Sequence, residues 1–210
     1  LRFPDISLPA GEHLFIHGPS GSGKTTLINM IAGIDRPTGG EIWVDDTPLH
    51  GLREGQIAVW RGRSLGIVFQ FFQLLPMLSI VENVMLPMDF AGMYAPRERK
   101  DKAMHLLELV GIADHARKLP SAVSGGQQQR AAIARALAGE PRFLLADEPT
   151  GNLDAANGAA IMDMLFGLRD RHGATLVLVT HAPDLARRCD RVVRLADGRI
   201  ETDDRRRAAE

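Results

Sequence analysis

The chain has 210 residues, of which 45% are hydrophobic and 24% are charged, and its formal net charge is -1. These values are ordinary for a globular domain and exclude a low-complexity chain. The nearly neutral balance of charge gives no reason to expect nucleic-acid binding. The single cysteine, Cys189, excludes an internal disulfide and is consistent with a reducing compartment.

No secretory signal is visible at the N-terminus, and because the chain begins with Leu1 we expect a short segment to precede it. Residues 64–81 carry no charge, and a run of this length is close to the shortest that can span a bilayer. Glutamine, serine and proline interrupt the run, so we interpret it as a buried strand followed by a loop. The basic run at residues 205–207 is interpreted as a solvated tail rather than a nucleic-acid or lipid contact.

The apolar pattern predicts strands and helices that alternate along the chain. In chain order we expect a strand over residues 13–17, a helix over 25–34, strands over 41–44 and 65–69, helices over 97–110 and 127–138, a strand over 142–146, a helix over 155–171, a strand over 174–179, and a closing hairpin of strands 191–195 and 199–201. The region before residue 70 is expected to be mainly β-structure. Together these elements predict an α/β core with residues 70–122 as an inserted helical subdomain.

A glycine-rich loop lies between the first strand and the first helix. It fits the pattern G-x-x-x-x-G-K-S/T, which wraps the phosphates of a nucleoside triphosphate, with Gly18, Pro19, Ser20, Gly21, Ser22, Gly23, Lys24 and Thr25. Glycine allows the tight turn that brings backbone N–H groups to phosphate oxygens, and the helix directs its positive end at the anion. Lys24 supplies a mobile positive charge, and the Thr25 hydroxyl is a ligand for Mg²⁺. A flexible Gly/Ser linker would not need Lys-Thr at this spacing, so we predict triphosphate binding.

Two acidic residues, Asp147 and Glu148, end the apolar run at residues 144–146. Ligands collect at the carboxyl ends of strands in open α/β sheets. Asp147 is suited to hold Mg²⁺, directly or through water, and Glu148 to accept a proton from an attacking water. A pair of solvated carboxylates is the alternative, but the phosphate loop in the same chain favours the catalytic interpretation.

Three more polar features lie at the ends of predicted elements. Gln70 follows the strand at 65–69, and His181 follows the strand at 174–179. Ser124 and the two glycines after it precede the alanine-rich helix, where exposed N–H groups would form a second anion site. Taken singly, Ser-Gly-Gly is a common helix entry and a lone histidine is more often structural, so both alternatives stay open.

In this order and spacing, the motifs resemble those of the nucleotide-binding domain of ATP-binding cassette (ABC) transporters, over essentially the whole chain. The matches are the Walker A loop at residues 18–25, the Q-loop glutamine at Gln70, the signature motif at 123–127 with Val123 where leucine is usual, Walker B and the catalytic glutamate at 144–148, the D-loop at 151–154, and the switch histidine at His181. The resemblance implies a P-loop NTPase core with an antiparallel β subdomain and an inserted α-helical subdomain. Residues 1–69 and 123–210 would form the first two, and residues 70–122 the third.

The resemblance also implies a mechanism, in which two domains pair head to tail and each ATP lies between the Walker A loop of one and the signature of the other. It assigns catalytic roles to Glu148, His181 and Lys24, and Mg²⁺ contacts to Thr25, Gln70 and Asp147. It assigns nucleotide contacts to Gly18, Pro19, Ser20, Gly21, Ser22, Gly23, Lys24, Thr25, Thr26, Ser124, Gly125, Gly126, Gln127 and Asp154. The aromatic residue that stacks on adenine in this family is expected upstream of Leu1, because Phe3 lies too near Gly18.

The segment after the Q-loop and Asn152 resemble those of the lipoprotein-release and macrolide-export group, of the LolD, MacB and FtsE type. This implies a homodimeric ATPase on the cytoplasmic side of the inner membrane that drives a separate integral membrane permease. Amino-acid importer ATPases share much of the pattern and are the alternative, as is an ABC protein acting on nucleic acid or ribosomes. A module that binds nucleotide without hydrolysis is disfavoured by Glu148.

The same segment carries apolar residues that have two interpretations. They either form an exposed surface for a permease helix or belong to the core of the helical subdomain, and they are Phe71, Phe72, Leu74, Leu75, Met77 and Leu78.

Overall fold

The computed structural model describes residues 6–205, except the side chains of residues 168–172 and 183. Phe3 and the last two residues of the basic run at 205–207 therefore lie outside the described residues. The strands are β1 His13–His17, β2 Trp43–Val44, β3 Thr47–Pro48, β4 Leu65–Val68, β5 Phe143–Asp147, β6 Thr175–Val179, β7 Arg191–Ala196 and β8 Arg199–Arg205. The helices are α1 Lys24–Ile31, α2 Glu54–Ser64, α3 Ile80–Phe90, α4 Pro96–Leu109, α5 Gly125–Leu137 and α6 Ala155–His172.

Six strands form one sheet in the order β4-β5-β6-β1-β7-β8, and β2 and β3 form a separate antiparallel pair. Neighbouring strands from β4 to β7 are parallel, and β8 returns antiparallel to β7. The carboxyl ends of the parallel strands therefore share one edge of the sheet. This edge receives the phosphate loop after β1, Gln70 after β4, Glu148 after β5 and His181 after β6.

In the central strands β1, β5 and β6, side chains on both faces of the sheet are buried. Phe15 of β1 joins a hydrophobic cluster that includes side chains of α3, α4, α5 and α6. Leu14 and Ile16 point the other way and pack with Ile28 of α1. The phosphate loop is thus anchored by a largely buried strand before it and by a helix packed on the opposite face of the sheet from α5.

Helices α3, α4 and α5 pack against one another. Their buried side chains belong to the same cluster as Val68 and Leu144 of the sheet, so these helices are continuous with the main core. Nothing marks residue 70 or 122 as a boundary, and the helical subdomain at 70–122 stays a prediction. Among the described residues, no helix combines the length and the apolar character that crossing a bilayer requires.

Two helices differ from the sequence prediction. Helix α2 lies in a region expected to be β-structure. Its four apolar residues are consecutive, at positions 57–60, and only Ile57 is buried, so the helix lacks an apolar period. Helix α3 was not predicted, and it begins at Ile80, within the uncharged run that was interpreted as a strand followed by a loop. A capping box marks its start: the Ser79 N–H donates to Glu82 Oε2 at 2.7 Å. The first helix ends at Ile31, three residues earlier than expected. Strand β8 continues to Arg205, beyond its predicted end at residue 201.

Candidate active site

The convergent strand ends surround a cavity of about 310 Å³. Its lining contains a large part of the predicted site, namely Ser20, Gly21, Gly23, Lys24, Thr25, Thr26, Gln70, Asp147, Glu148 and His181. Four separate segments of the chain thus meet around one space, with loop amides and a lysine facing two carboxylates. An anion with an associated cation suits this mixture of charges.

The phosphate loop is shaped by backbone constraints. Gly18 has φ of 154°, and a Cβ on it would lie 2.1 Å from the carbonyl oxygen of Leu195 in β7, so only glycine fits. The Lys24 ammonium is buried under the loop and donates to the Gly18 and Pro19 carbonyls, each at 2.9 Å. Ser22 is buried within the loop, and its N–H donates to the Pro19 carbonyl. Gly18, Pro19 and Ser22 therefore shape the loop without lining the 310 Å³ cavity.

Thr25 and Asp147 face each other across the cavity floor. The Thr25 hydroxyl donates weakly to Asp147 Oδ2 at 3.5 Å, and Gln70 lines the same space. Burial raises the pKa of the Asp147 carboxyl, and the neighbouring charge of Glu148 raises it further, while Thr25 and Lys24 oppose both effects. A hydroxyl, an amide oxygen and one carboxylate fit Mg²⁺, which typically uses few protein ligands beside substrate phosphates. Among the side chains that the structure describes, no three acidic, histidine or cysteine residues form a metal site of their own.

Glu148 has an uncommon conformation for a residue with a side chain. Its φ is 46°, and its N–H continues the sheet by donating to the Val179 carbonyl of β6 at 2.8 Å. Its carboxylate is only 15% exposed, and Oε1 lies 3.1 Å from His181 Nε2. That contact lacks hydrogen-bond geometry, so Oε1 is buried without a hydrogen-bond partner in the described part of the chain. Backbone strain and an unsatisfied carboxylate oxygen both concentrate at functional sites.

The segment after Glu148 supports Gln70. Asn152 Nδ2 donates to the Gln70 carbonyl at 2.7 Å. A Cβ at Gly151 would lie 2.9 Å from Gln70 Nε2, so glycine permits this close approach. Asp154 instead accepts from the N–H and the side chain of Asn157, which lower the pKa of its carboxyl, and it does not line the cavity.

The start of α5 lies outside this cavity. Ser124 and Gln127 form a capping box, in which the Ser124 N–H donates to Gln127 Oε1 at 2.9 Å and Ser124 Oγ accepts from the Gln127 N–H at 3.3 Å. Ser124, Gly125, Gly126 and Gln127 do not line the 310 Å³ cavity. The structure therefore separates two groups of predicted nucleotide contacts: those around the phosphate loop and those at the start of α5.

A second cavity, of about 350 Å³, adjoins the first at His181. Phe15, His17, Gly18, Pro19 and Arg194 complete its lining. Burial is the main cause that lowers the pKa of His17, and the positive charge of Arg194 lowers it further. Although this cavity is the larger one, it contains no carboxylate and little of the phosphate loop, so the smaller cavity is the candidate site. The sequence prediction missed His17, whose only signal is a polar residue at the end of an apolar strand.

Comparison with known proteins agrees with this geometry. A family profile described as "ABC transporter" matches residues 1–151. A lipoprotein-releasing system ATP-binding protein LolD from Anaeromyxobacter dehalogenans is 48% identical over 95% of this chain and 83% of its own length. The uncharacterized ABC transporter ATP-binding protein YknY from Bacillus subtilis is 46% identical over 93% of this chain and 84% of its own length.

Solved structures show the same fold. The ATP-binding cassette MJ0796, described as a dimeric post-hydrolysis state bound to ADP and Pi, superposes with a TM-score of 0.90 at 40% identity, covering 97% of this chain and 89% of the other. The predicted α/β P-loop NTPase fold is thereby confirmed. From its sequence motifs, its site geometry and these relatives, the chain belongs to the ABC transporter family, as an ATP-binding subunit that hydrolyses ATP.

Proposed function

We propose that this chain acts as a homodimer that hydrolyses ATP at shared interfaces and drives a separate integral membrane permease, in lipoprotein release or MacB-like export. It would lie at the cytoplasmic face of the inner membrane. The observation that carries the proposal is the separation of the two groups of nucleotide contacts. The 310 Å³ cavity holds the loop, the acids and His181, whereas Ser124, Gly125 and Gly126 lie outside its lining.

A second copy offers the missing contacts. The start of α5 presents backbone N–H groups and the positive end of a helix, both suited to phosphate. If the two copies face each other head to tail, α5 of one covers the phosphate loop of the other. Relatives support this arrangement, since MJ0796 structures are described as dimeric and one of them holds ADP and Pi.

Within one site, we assign roles by position. The phosphate loop and Lys24 bind the outer phosphates, and Mg²⁺, held by Thr25, Gln70 and Asp147, would neutralise phosphate charge. Glu148 accepts the proton of the attacking water, since its oxygen Oε1 is buried without a hydrogen-bond partner in the described region. His181 lies 3.1 Å from that carboxylate and lines the same cavity, so it is placed to contact the γ-phosphate and to orient Glu148.

A mixing experiment tests the shared site. The Lys24→Ala variant lacks the phosphate-binding lysine, and Gly126→Asp places a negative charge at the start of α5, so each should be inactive alone. In a one-to-one mixture, half of the dimers would be mixed and would keep one intact site of two, so we expect about a quarter of the wild-type ATPase rate. A mixture as inactive as its components would contradict the shared site.

An apolar patch supports the permease partner. Phe71, Leu75 and Met77 are 73%, 47% and 88% exposed, and we call these three residues the apolar patch. Leu74 packs against the main core instead, so the core interpretation applies to Leu74, and the permease interpretation is proposed for the apolar patch. Large exposed apolar side chains grouped in one segment suit the apolar face of an amphipathic helix. Because Phe71 follows Gln70 directly, a change in the position of Gln70 on nucleotide binding would also move a permease helix docked at Phe71.

The relatives favour the lipoprotein-release group for this partner. Two LolD proteins, from Anaeromyxobacter dehalogenans and Bacteroides thetaiotaomicron, are 48% and 42% identical to the chain. Co-expression with a permease encoded beside this chain would test the assignment, since that permease should raise the ATPase rate and be retained with the protein. A permease that neither binds nor stimulates would contradict it.

A further inference from the structure

The turn formed by residues 70–73 has a conformation that side chains disfavour. Phe72 and Gln73 both have φ of 49°, and the Gln73 N–H donates to the Phe71 carbonyl. Two consecutive left-handed residues without glycine are uncommon, and they persist only where other contacts hold them. The contacts that hold this turn are therefore of interest, because its first residue lines the nucleotide cavity.

One side chain from α5 holds both carbonyls of the left-handed pair. Arg135 Nη2 donates to the Phe72 carbonyl at 2.8 Å, and Nη1 donates to the Gln73 carbonyl at 2.5 Å. Burial lowers the pKa of Arg135. A guanidinium presents its donors as a rigid planar fork, so it can hold two adjacent carbonyls at once, which the single nitrogen of lysine does less well.

The turn sends its first two side chains in different directions. Gln70 lines the cavity, while Phe71 is largely exposed in the apolar patch. The Gln70 carbonyl is held separately, by Asn152 in the segment after the catalytic glutamate. Two elements thus fix the turn: the segment after Glu148 holds its start, and α5, which begins at the signature residues, holds its end.

We propose that Arg135 is a positioning residue, which holds the 70–73 turn so that Gln70 faces the nucleotide and the apolar patch moves with α5. The proposal deepens the proposed function and rests on it for the roles of Gln70 and of the patch. In this arrangement, nucleotide binding at the N-terminus of α5 displaces the helix. The displacement moves the Phe72 and Gln73 carbonyls, because Arg135 is bonded to both. Without Arg135, the turn loses this conformation, and nucleotide binding no longer changes the position of the apolar patch.

Arg130 provides a matched control on the same helix. It is also half-buried, and its Nη1 donates to a backbone carbonyl, that of Val110, at 3.0 Å. That carbonyl ends α4 and lies in no part of the cavity lining. Arg130→Met and Arg135→Met therefore remove the same kind of side chain and the same kind of hydrogen bond, and only the second touches the turn.

Hydrogen–deuterium exchange of the full-length protein without nucleotide is the first measurement. In Arg135→Met, we expect residues 70–78 to exchange roughly tenfold faster than in the wild type, with the rest of the chain unchanged. Arg130→Met should leave this segment unchanged, and Arg135→Lys, which keeps a positive charge but has a single donor nitrogen, should be intermediate. Unchanged exchange in Arg135→Met, or equal acceleration in Arg130→Met, would overturn the proposal.

The Mg²⁺ dependence of ATP hydrolysis is the second measurement. Because Gln70 loses its orientation, Arg135→Met should need several-fold more Mg²⁺ for half-maximal rate, whereas Arg130→Met should need no more than the wild type. Equal Mg²⁺ requirements in both variants would count against positioning by Arg135. Gln70→Ala separates the role of Gln70 from that of Arg135. If this variant has an unchanged Mg²⁺ requirement, the Mg²⁺ role that the proposed function gives to Gln70 is wrong. The exchange measurement still decides whether Arg135 holds the turn.

Discussion

Single residues at this site combine unusual backbone geometry with specific chemistry. Glu148 adopts a left-handed φ at the end of β5 while its N–H stays bonded to β6, and this places its carboxylate beside His181. Gly18 lies so close to the Leu195 carbonyl that no side chain fits. In both cases a neighbouring strand dictates the conformation, so the sheet determines where the reactive groups lie.

Glu148→Gln tests the role of the carboxylate. The amide keeps nearly the same shape but cannot accept a proton, so we expect kcat to fall by about 10²–10⁴-fold while ATP still binds. The variant should accumulate as a dimer with ATP, measurable by size-exclusion chromatography. Hydrolysis at the wild-type rate would remove Glu148 from the role of general base.

Gly18→Ala tests the close approach under the phosphate loop. The left-handed φ alone costs alanine about 1–2 kcal/mol, and the clash with Leu195 should add about 1–3 kcal/mol. Gly11→Ala is the control, because Gly11 has φ of 79° but a Cβ added there would lie in open space. Urea unfolding should show a larger loss for Gly18→Ala. Equal losses in the two variants would mean that the loop moves away from β7 at little cost.

At the scale of elements, the sequence predicted most of the sheet because its buried strands are short apolar runs. The convergence of Gln70, Asp147 and His181 was predictable too, since parallel strands end at one edge. Helix α2 could not be predicted, because its apolar residues form one consecutive run and show no helical period. The hydrogen bonds of Arg135 could not be predicted either, since they join a side chain to backbone carbonyls 62–63 positions away in the sequence.

The β7–β8 hairpin is longer than predicted because an ion pair holds its distal part. Arg191 Nε and Nη2 donate to the two carboxylate oxygens of Asp203, each at 2.6 Å, and Arg191 Nη1 donates to the Ser7 carbonyl. The hydrogen bonds from Arg191 lower the pKa of Asp203. Stability from this pair is therefore present above the usual aspartate pKa and is lost as pH falls through the lowered value.

Asp203→Asn tests this linkage. At neutral pH, we expect the free energy of unfolding to fall by about 1 kcal/mol, since Asp203 is partly exposed and solvent weakens the pair. The difference between variant and wild type should shrink as the pH falls below the usual aspartate range. Urea unfolding across that range measures it, and a difference that grew toward acid pH would contradict the assignment.

At the scale of the whole molecule, the chain holds the cavity that we propose for ATP and, elsewhere, a helix start suited to phosphate. It also exposes the apolar patch next to Gln70. These three surfaces have different proposed occupants: nucleotide, a second copy and a permease helix. Because Arg135 and Asn152 both contact the 70–73 turn, occupancy of one surface is expected to influence the other two.

Phe71→Ser with Leu75→Ser tests the patch. Polar side chains remove the apolar contact area, so we expect permease binding and permease-stimulated hydrolysis to fall by at least about tenfold. Phe90→Ser is the control, since Phe90 is 78% exposed at the end of α3 and is not part of the patch. Pull-down of the co-expressed permease measures the effect, and equal retention by both variants would contradict the docking site.

The support of the phosphate loop by β7 has a consequence for how the protein is made. The Ser22 carbonyl accepts a hydrogen bond from the Gly198 N–H, and Gly18 contacts Leu195, so the loop depends on residues that come much later in the sequence. During translation, the phosphate loop leaves the ribosome long before Leu195 and Gly198. We therefore expect the nascent polypeptide to gain affinity for ATP only after residues 195–198 have left the ribosome.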